Sequence, residues 1–458
     1  MLKQALQQYF GFDDFRPGQE SIIQHVLDEH NVLGILPTGS GKSLCYQLPT
    51  YIKRKPTLII SPLISLMDDQ VMQMKMKGEH RVVSIHSGME TYERQLAFQR
   101  IHTSRFIFVS PEFILQSHHF EQFQTIDFGL IVLDEVHCLS EWGFDFRPHY
   151  ALIGDIIQHY QQATVLALTA TATPHLQRDV EFITGRLFHT LQSSMDRSNI
   201  MLSVKHMNSY DEKITWILEH ISTSGPTIIY VSSKKICLEL AEEIYKEGYL
   251  TGIYHSDLSY QERHTVQQQF LNNDIRIIVA TSAFGMGVNK SDIRTVIHFH
   301  IPPSPSNYLQ EIGRAGRDGQ QSQAIALYQY DDQFLMEMLG VGNIIHDEDI
   351  SLYEQGELID FEKKHILDLL NVRYSTQQLK QIFQHNFQQK QRAYQYMLNY
   401  ATTTICRRSY LLQFFDMSKE THTLCCDLCD NLTMIDIPNK KKVKRALTFE
   451  EKLKSLFN

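Results

Sequence analysis

The chain has 458 residues, 43% of them hydrophobic and 21% charged, which calls for two or three packed domains and excludes a disordered or fibrous chain. No apolar run reaches the length of a membrane span and the N-terminus opens no signal peptide, so an intracellular protein without a membrane partner is expected. At a formal net charge of −9 the overall field repels phosphate, and any nucleic acid must be held by a local groove.

Two helical patterns fill residues 1–30, broken by Gly11, Pro17 and Gly18, with the second helix expected over 19–28. Phe12, Arg16 and Gln19 surround this break. An aromatic ring can stack on a purine and a glutamine amide can pair with N6 and N7 of adenine. The alternative is a core aromatic and a helix-start residue. The apolar run 31–36 reads as a strand, followed by Pro37-Thr38-Gly39-Ser40-Gly41-Lys42-Ser43 and a helix from Lys42 onward. Glycines at 39 and 41 let consecutive N–H groups turn inward, and the helix start adds positive potential, which together cradle phosphate. Lys42 would reach the β- and γ-phosphates and the Ser43 hydroxyl would ligate Mg2+. The pattern G-x-x-x-x-G-K-[ST] asks for glycine at 36, where this chain has Leu36.

Apolar runs at 57–61, 81–85, 106–109, 130–133 and 164–169 alternate with helical segments, the mark of a parallel sheet covered on both faces. Functional residues then gather at the C-terminal ends of the strands. Ser61-Pro62-Leu63, Ser110-Pro111-Glu112, Asp134-Glu135-Val136-His137 and Thr169-Ala170-Thr171 each follow such a run. Of two acids at a strand end, one can hold Mg2+ and the other can orient or deprotonate the attacking water; a solvated turn is the alternative. Trp142, Phe144, Phe146 and Arg147 follow in a loop broken by glycine and proline. Flat rings beside a cation bind unstacked bases, at about 1–3 kcal/mol per base, or else fill a core.

Residues from about 190 to 210 show no strong apolar period and are expected to link two domains. A second alternation follows, with strands over 227–231, 251–254, 275–280 and 295–299 and helices over 234–248 and 261–272. This half has no phosphate loop. It carries Gln310-Glu311-Ile312-Gly313-Arg314-Ala315-Gly316-Arg317, where glycines let guanidinium groups approach phosphate oxygens and stabilise charge that develops on hydrolysis. Residues 330–400 read as helical, with Leu379, Ile382, Phe383 and Phe387 as a core stripe. Four of the seven cysteines, Cys406, Cys425, Cys426 and Cys429, cluster downstream, which in an intracellular chain reads as metal binding before disulfides. The basic run 440–445 is a solvated tail, a nucleic-acid patch or a nuclear address.

Taken together, these motifs resemble those of the RecQ family of superfamily 2 DNA helicases, over about residues 1–430. The resemblance rests on Phe15-Arg16-Pro17-Gly18-Gln19, the loop 37–43, the DExH box 134–137, the aromatic-rich loop, Thr169-Ala170-Thr171-Ala172, Ala280-Thr281-Ser282-Ala283-Phe284-Gly285-Met286-Gly287 and the run 310–317. It implies an α/β fold of two RecA-like parallel-sheet domains, 1–200 and 201–335, then a mainly helical zinc-binding module, 336–430, and a basic tail, 431–458. The implied cofactors are ATP, Mg2+ and Zn2+. Phe12, Arg16, Gln19, Thr38, Gly39, Ser40, Gly41, Lys42 and Ser43 would hold the nucleotide, and Ser43 with Asp134 the magnesium. Lys42, Asp134, Glu135, His137, Gln310, Arg314 and Arg317 would serve hydrolysis, with Arg317 as the finger. Trp142, Phe144, Phe146 and Arg147 would contact single-stranded DNA.

The implied activity is 3′-to-5′ translocation on single-stranded DNA and unwinding of 3′-tailed duplex in repair and recombination, alongside DNA-repair partners. An RNA helicase and an ATP-gated clamp remain the alternatives. The implied location is cytoplasmic, associated with a nucleoid or, through the basic tail, nuclear. Fuller members continue into a winged helix, for which the stretch after 430 is too short, so weakened duplex recognition is expected and unwinding should need a 3′ single-stranded tail on the DNA. Structural zinc takes four thiolate or imidazole ligands. Cys426 and Cys429 form a C-x-x-C pair and Cys406 gives a third, but the family's remaining cysteine falls on Thr423. Cys425 is the nearest substitute and His422 the runner-up; a degenerate site is the alternative. Cys425 and Cys426 must both turn to one metal, which a loop permits and a regular strand forbids.

Overall fold

Strands that are buried on both faces need apolar residues at every position, and such runs order this chain into two sheets. The computed structural model describes residues 2–139, 148–171, 173, 175–285, 290–334 and 345–437, the side chains of Ser65 and Tyr260 excepted. Trp142, Phe144, Phe146, Arg147, Ala172, Met286, Gly287 and the basic run 440–445 lie outside the described residues.

The first sheet contains β1 (Val32–Ile35), β2 (Thr57–Ile60), β3 (Val82–Ile85), β4 (Phe106–Val109), β5 (Leu130–Leu133), β6 (Thr164–Thr169) and β7 (His189–Gln192). All pairs are parallel, in the order β3-β4-β2-β5-β6-β1-β7. The second contains β8 (Ile200–His206), β9 (Thr227–Tyr230), β10 (Thr251–Tyr254), β11 (Ile277–Ala280), β12 (Thr295–His298) and β13 (Ser322–Tyr328), again all parallel, in the order β10-β11-β9-β12-β13-β8. Register decides what meets at the sheet ends. Ile35 pairs with Thr169 and Leu133 with Ala167, so the loops after β1, β5 and β6 leave from one edge.

The expected link between two domains falls where the units divide, between Met195 and Asp196, but the stretch is not irregular: residues 190–210 hold most of β7 and all of β8. β7 is a polar, largely exposed edge strand and shows no apolar pattern. β8 is apolar at Ile200, Met201, Leu202 and Val204, but the strand it pairs with, β13, lies more than a hundred residues downstream. Its strand character therefore depends on a partner that local periodicity cannot reveal.

The chain forms two compact units, Met1–Met195 with Asn343–Lys390, and Asp196–Gly342 with Gln391–Asn458. In the first, helices Asp347–Gln355, Phe361–Leu370 and the start of Thr376–Thr402 join the sheet domain. Arg373 Nη1 lies 3.2 Å from Asp155 Oδ1, and the Tyr374 hydroxyl donates to the Ala151 carbonyl. Of the expected core stripe, Leu379 and Phe383 are buried, while Ile382 and Phe387 are half-buried. In the second, serines 209, 233, 259 and 304 cap the helices that follow, each side-chain oxygen accepting from the third residue on. Among the described residues no helix is long and apolar enough to cross a membrane.

One buried charge pair ties the second unit together. Lys213, fully buried on helix Tyr210–His220, donates to the Phe299 carbonyl at 2.8 Å and pairs with Asp332, so it links that helix to the chain beyond β12 and β13. Burial lowers the Lys213 ammonium and raises the Asp332 carboxyl, and each charge offsets part of the other's cost. Lys213→Met leaves Asp332 buried without its cation and is expected to cost about 3–5 kcal/mol in urea unfolding. Adding Asp332→Asn should recover at least half of that loss; no recovery would mean the pair is not what the unit depends on.

Candidate nucleotide site and metal centre

The loop after β1 curls because Gly39 and Gly41 adopt positive φ, 83° and 79°, which side chains disfavour. Leu36, at the position of the missing glycine, is fully buried in the core of the first sheet, and its N–H donates to the Thr169 carbonyl at 3.0 Å. The loop is gripped from its own N-terminal side. The Gln19 amide donates to the Ser40 and Gly41 carbonyls at 2.8 and 3.1 Å, and Arg16 Nη1 donates to the Gly39 carbonyl at 2.5 Å. Gln19 Oε1 in turn accepts the Arg16 N–H at 2.9 Å. The Gln19 amide nitrogen thus serves the loop, while Phe12 stands 56% exposed with its ring open to stacking rather than in a core. Lys42 and Ser43 close the turn, and helix Leu44–Lys53 follows.

The DExH box sits at the end of β5, beside this loop. Lys42 Nζ donates to Glu135 Oε1 at 3.1 Å. Glu135 Oε2 lies 3.3 Å from His137 Nδ1, which also meets Thr169 Oγ1 at 3.1 Å, joining the box to the end of β6. Glu135 adopts φ 49°, a left-handed conformation uncommon for a non-glycine residue, held by these contacts and by its N–H to Asp134 Oδ1 at 3.0 Å. The Tyr150 hydroxyl donates to the Asp134 carbonyl at 2.7 Å and fixes the backbone from below. Burial and the adjacent Glu135 charge raise the Asp134 carboxyl. Burial alone would raise Glu135 as well, but Lys42 and His137 outweigh it and hold Glu135 well below the usual range. Asp134 is therefore the carboxylate without a cation of its own, the position where a divalent ion relieves most repulsion.

In the second unit, Gln310 and Arg314 are buried on and just after helix Pro305–Ile312, with Arg317 in the glycine-bearing loop beyond. Burial first, then Arg314 and Arg197, lowers the Arg317 guanidinium to about 9. The loop is shaped by residues that local sequence did not single out. Arg197 Nη1 donates to Gly313 O at 3.1 Å, and Nη2 to Ala315 O at 3.0 Å and Gly316 O at 2.7 Å. Asn199 Nδ2 donates to Gly316 O and Gln320 O, both at 2.8 Å. Gly316 has φ 55°, and a Cβ there would stand 2.4 Å from Asn199 Nδ2, so only glycine fits. Arg197 and Asn199 lie in the stretch read as a linker, and no motif marks them.

The four cysteines converge in the second unit, with their sulfurs all within 4.8 Å of one another. Cys406 Sγ lies 3.6 Å from Cys425 Sγ and 4.0 Å from Cys426 Sγ. Four sulfurs at about 2.3 Å from a tetrahedral zinc stand about 3.8 Å apart, so the set fits the ion. Cys425 and Cys426 both bring their sulfurs to the cluster just before the chain turns into a short helix. Cys426 caps the short helix Asp427–Asp430, and Asp430 Oδ2 accepts the N–H groups of both cysteines, at 2.6 and 3.1 Å. Burial would raise the Cys406 thiol, but hydrogen bonds with Ser409, Cys425 and Cys429 bring it down to about 6, favouring the thiolate. His422 points elsewhere: its Nε2 is 2.9 Å from Asp196 Oδ2, both side chains buried. Purified protein is expected to hold about one zinc per chain, lost in Cys425→Ser and kept in His422→Ala; the reverse pattern would move the fourth ligand to the histidine.

Comparison with known proteins agrees with this layout. Family models described as DEAD/DEAH box helicase, Helicase conserved C-terminal domain and RecQ zinc-binding match residues 16–179, 211–319 and 368–431. RecS of Bacillus subtilis (strain 168), by name an ATP-dependent DNA helicase, is 42% identical over 362 residues, covering 78% of this chain and 72% of RecS. A protein of Acanthamoeba polyphaga mimivirus, named as an ATP-dependent RNA helicase, is 34% identical over 461 residues, covering 99% of this chain and 75% of its own. The ATP-dependent DNA helicase RecQ of Haemophilus influenzae is 33% identical over 441 residues, covering 95% of this chain and 64% of that RecQ. With the nucleotide loop, the DExH carboxylates and the four-cysteine centre in family order, the chain belongs to the RecQ family of ATP-dependent DNA helicases.

Proposed function

We propose that this helicase tracks 3′-to-5′ along single-stranded DNA and opens 3′-tailed duplex, in the service of DNA repair and recombination. The observation that supports ATP hydrolysis as its motor is the Lys42–Glu135 pair, which couples the phosphate loop to the candidate base in one contact. Incoming phosphates draw Lys42 toward them, and Glu135 then loses the cation that keeps it weakly basic. It becomes able to orient and deprotonate water as the substrate arrives. Ser43 and Asp134 would hold Mg2+, which neutralises charge on the phosphates. Phe12 would stack on the adenine, and Gln19 and Arg16 beside it hold the phosphate loop, so base recognition is transmitted to that loop. His137, bridging Glu135 and Thr169, relays the state of the site along β6. Gln310 and Arg314 line the second half of the reaction, and Arg317 meets the charge that develops on the transferred phosphoryl group. Trp142, Phe144, Phe146 and Arg147 grip DNA, and DNA-repair proteins are the partner class.

An RNA substrate is the second reading, favoured by the name of the mimiviral relative. Strand displacement on 3′-tailed DNA, 5′-tailed DNA and a matched RNA duplex decides between them: opening of 3′-tailed DNA alone is expected, and preferential opening of RNA would overturn the DNA reading. Lys42→Ala should lower ATP turnover at least ~100-fold while single-strand binding, followed by fluorescence anisotropy, stays within about twofold. Turnover at the wild-type rate would remove Lys42 from the site.

A further inference from the structure

We propose that Arg197, with Asn199, is a positioning residue for ATP hydrolysis: it holds the loop that carries Arg314 and Arg317 in its working shape. The inference rests on the reading of Arg317 as the finger. The loop has little stiffness of its own, since Gly316 and Gly319 both adopt positive φ and Gly313 ends the preceding helix. A finger must be fixed to within a fraction of an ångström to stabilise charge at one oxygen. Here the fixing comes from outside the loop. The Arg197 fork takes the carbonyls of Gly313, Ala315 and Gly316, which bracket Arg314 and precede Arg317. Asn199 takes Gly316 and Gln320, clamping the far side.

The charge of the strut is informative. Asp318, the carboxylate of this loop, pairs with Arg294, while the Arg197 fork donates to backbone carbonyls. A neutral amide could serve a purely structural bond to a carbonyl. A third guanidinium beside Arg314 and Arg317 instead adds positive potential where a polyanion must be stabilised. The base of the strut is anchored in turn. Arg408 Nη1 donates to Asp196 Oδ1 at 2.6 Å and to the Arg197 carbonyl at 3.1 Å, while its Nη2 donates to the Cys425 carbonyl at 3.2 Å. The cysteine centre and the arginine loop are thus joined through one turn of chain at the entry to β8.

The test compares Arg197→Lys, Asn199→Ala, Arg317→Ala and the double variant Arg197→Lys/Arg317→Ala in the full chain. Lysine keeps the charge but cannot bond three carbonyls with a fork. Arg197→Lys is expected to lower kcat of DNA-stimulated ATP hydrolysis about tenfold, and Asn199→Ala about threefold, the scale of one or two lost hydrogen bonds. KM for ATP, single-strand affinity, zinc per chain and the thermal midpoint should hold. The double variant should be no slower than Arg317→Ala alone, because the strut is expected to act on the rate through the placing of the Arg317 finger. Wild-type kcat in Arg197→Lys beside a slow Arg317→Ala overturns the strut and leaves the finger standing. So does a loss that multiplies with that of Arg317→Ala, or a lowered midpoint with kcat per folded molecule unchanged. Wild-type kcat in Arg317→Ala removes the finger and the inference with it. Should the arginine variant not fold, Asn199→Ala carries the same comparison, and wild-type kcat there overturns the proposal.

Discussion

Parallel pairing in register is the constraint on which the rest depends. Because β1, β6 and β5 are neighbours and their ends align, three loops far apart in sequence begin at one edge of the first sheet. Lys42, the Asp134–Glu135 pair and the Thr169–Thr171 turn lie at that edge. Every strand of that central trio is buried on both faces, so a slip of one residue would move each functional side chain away from the edge at once.

Charges brought together in this way repel or lose solvation unless each has a partner, and the structure supplies the partners selectively. Glu135 has Lys42 and His137; Asp134 has a backbone N–H and an acidic neighbour. The asymmetry holds Glu135 anionic and leaves Asp134 beside it with an unrelieved acidic neighbour. The arginine loop of the second unit follows the opposite logic. Its guanidinium groups crowd one another, and the loop's backbone carbonyls are taken up by Arg197 and Asn199, so shape is fixed while positive charge accumulates.

The cysteine centre shows how a site tolerates a displaced ligand. Where the family register puts a cysteine at 423, this chain has threonine, yet the Cys425 sulfur joins the cluster, with Asp430 accepting the N–H groups of both Cys425 and Cys426. The same segment lies along β8, with Leu202 N–H donating to the Cys425 carbonyl and Val204 N–H to Asp427. The metal module therefore extends the edge of the second sheet and does not hang from it.

From the sequence alone came the two alternating βα halves, most strand positions within a residue or two, the phosphate loop, the DExH box, the arginine run and the candidate metal ligands. These were legible because each is local: an apolar run, a glycine spacing or a pair of acids reports its own chemistry within a few residues. Tertiary structure alone decided the strand character of β8, whose partner β13 is remote, and the fourth sulfur, since Cys425 and His422 differ only in where the fold points them. It also decided the roles of Gln19 as a clamp on the loop and of Arg197 and Asn199 as supports for another. Those residues act through backbone carbonyls, which every residue has, so nothing in the side chains they touch could have announced them in one dimension.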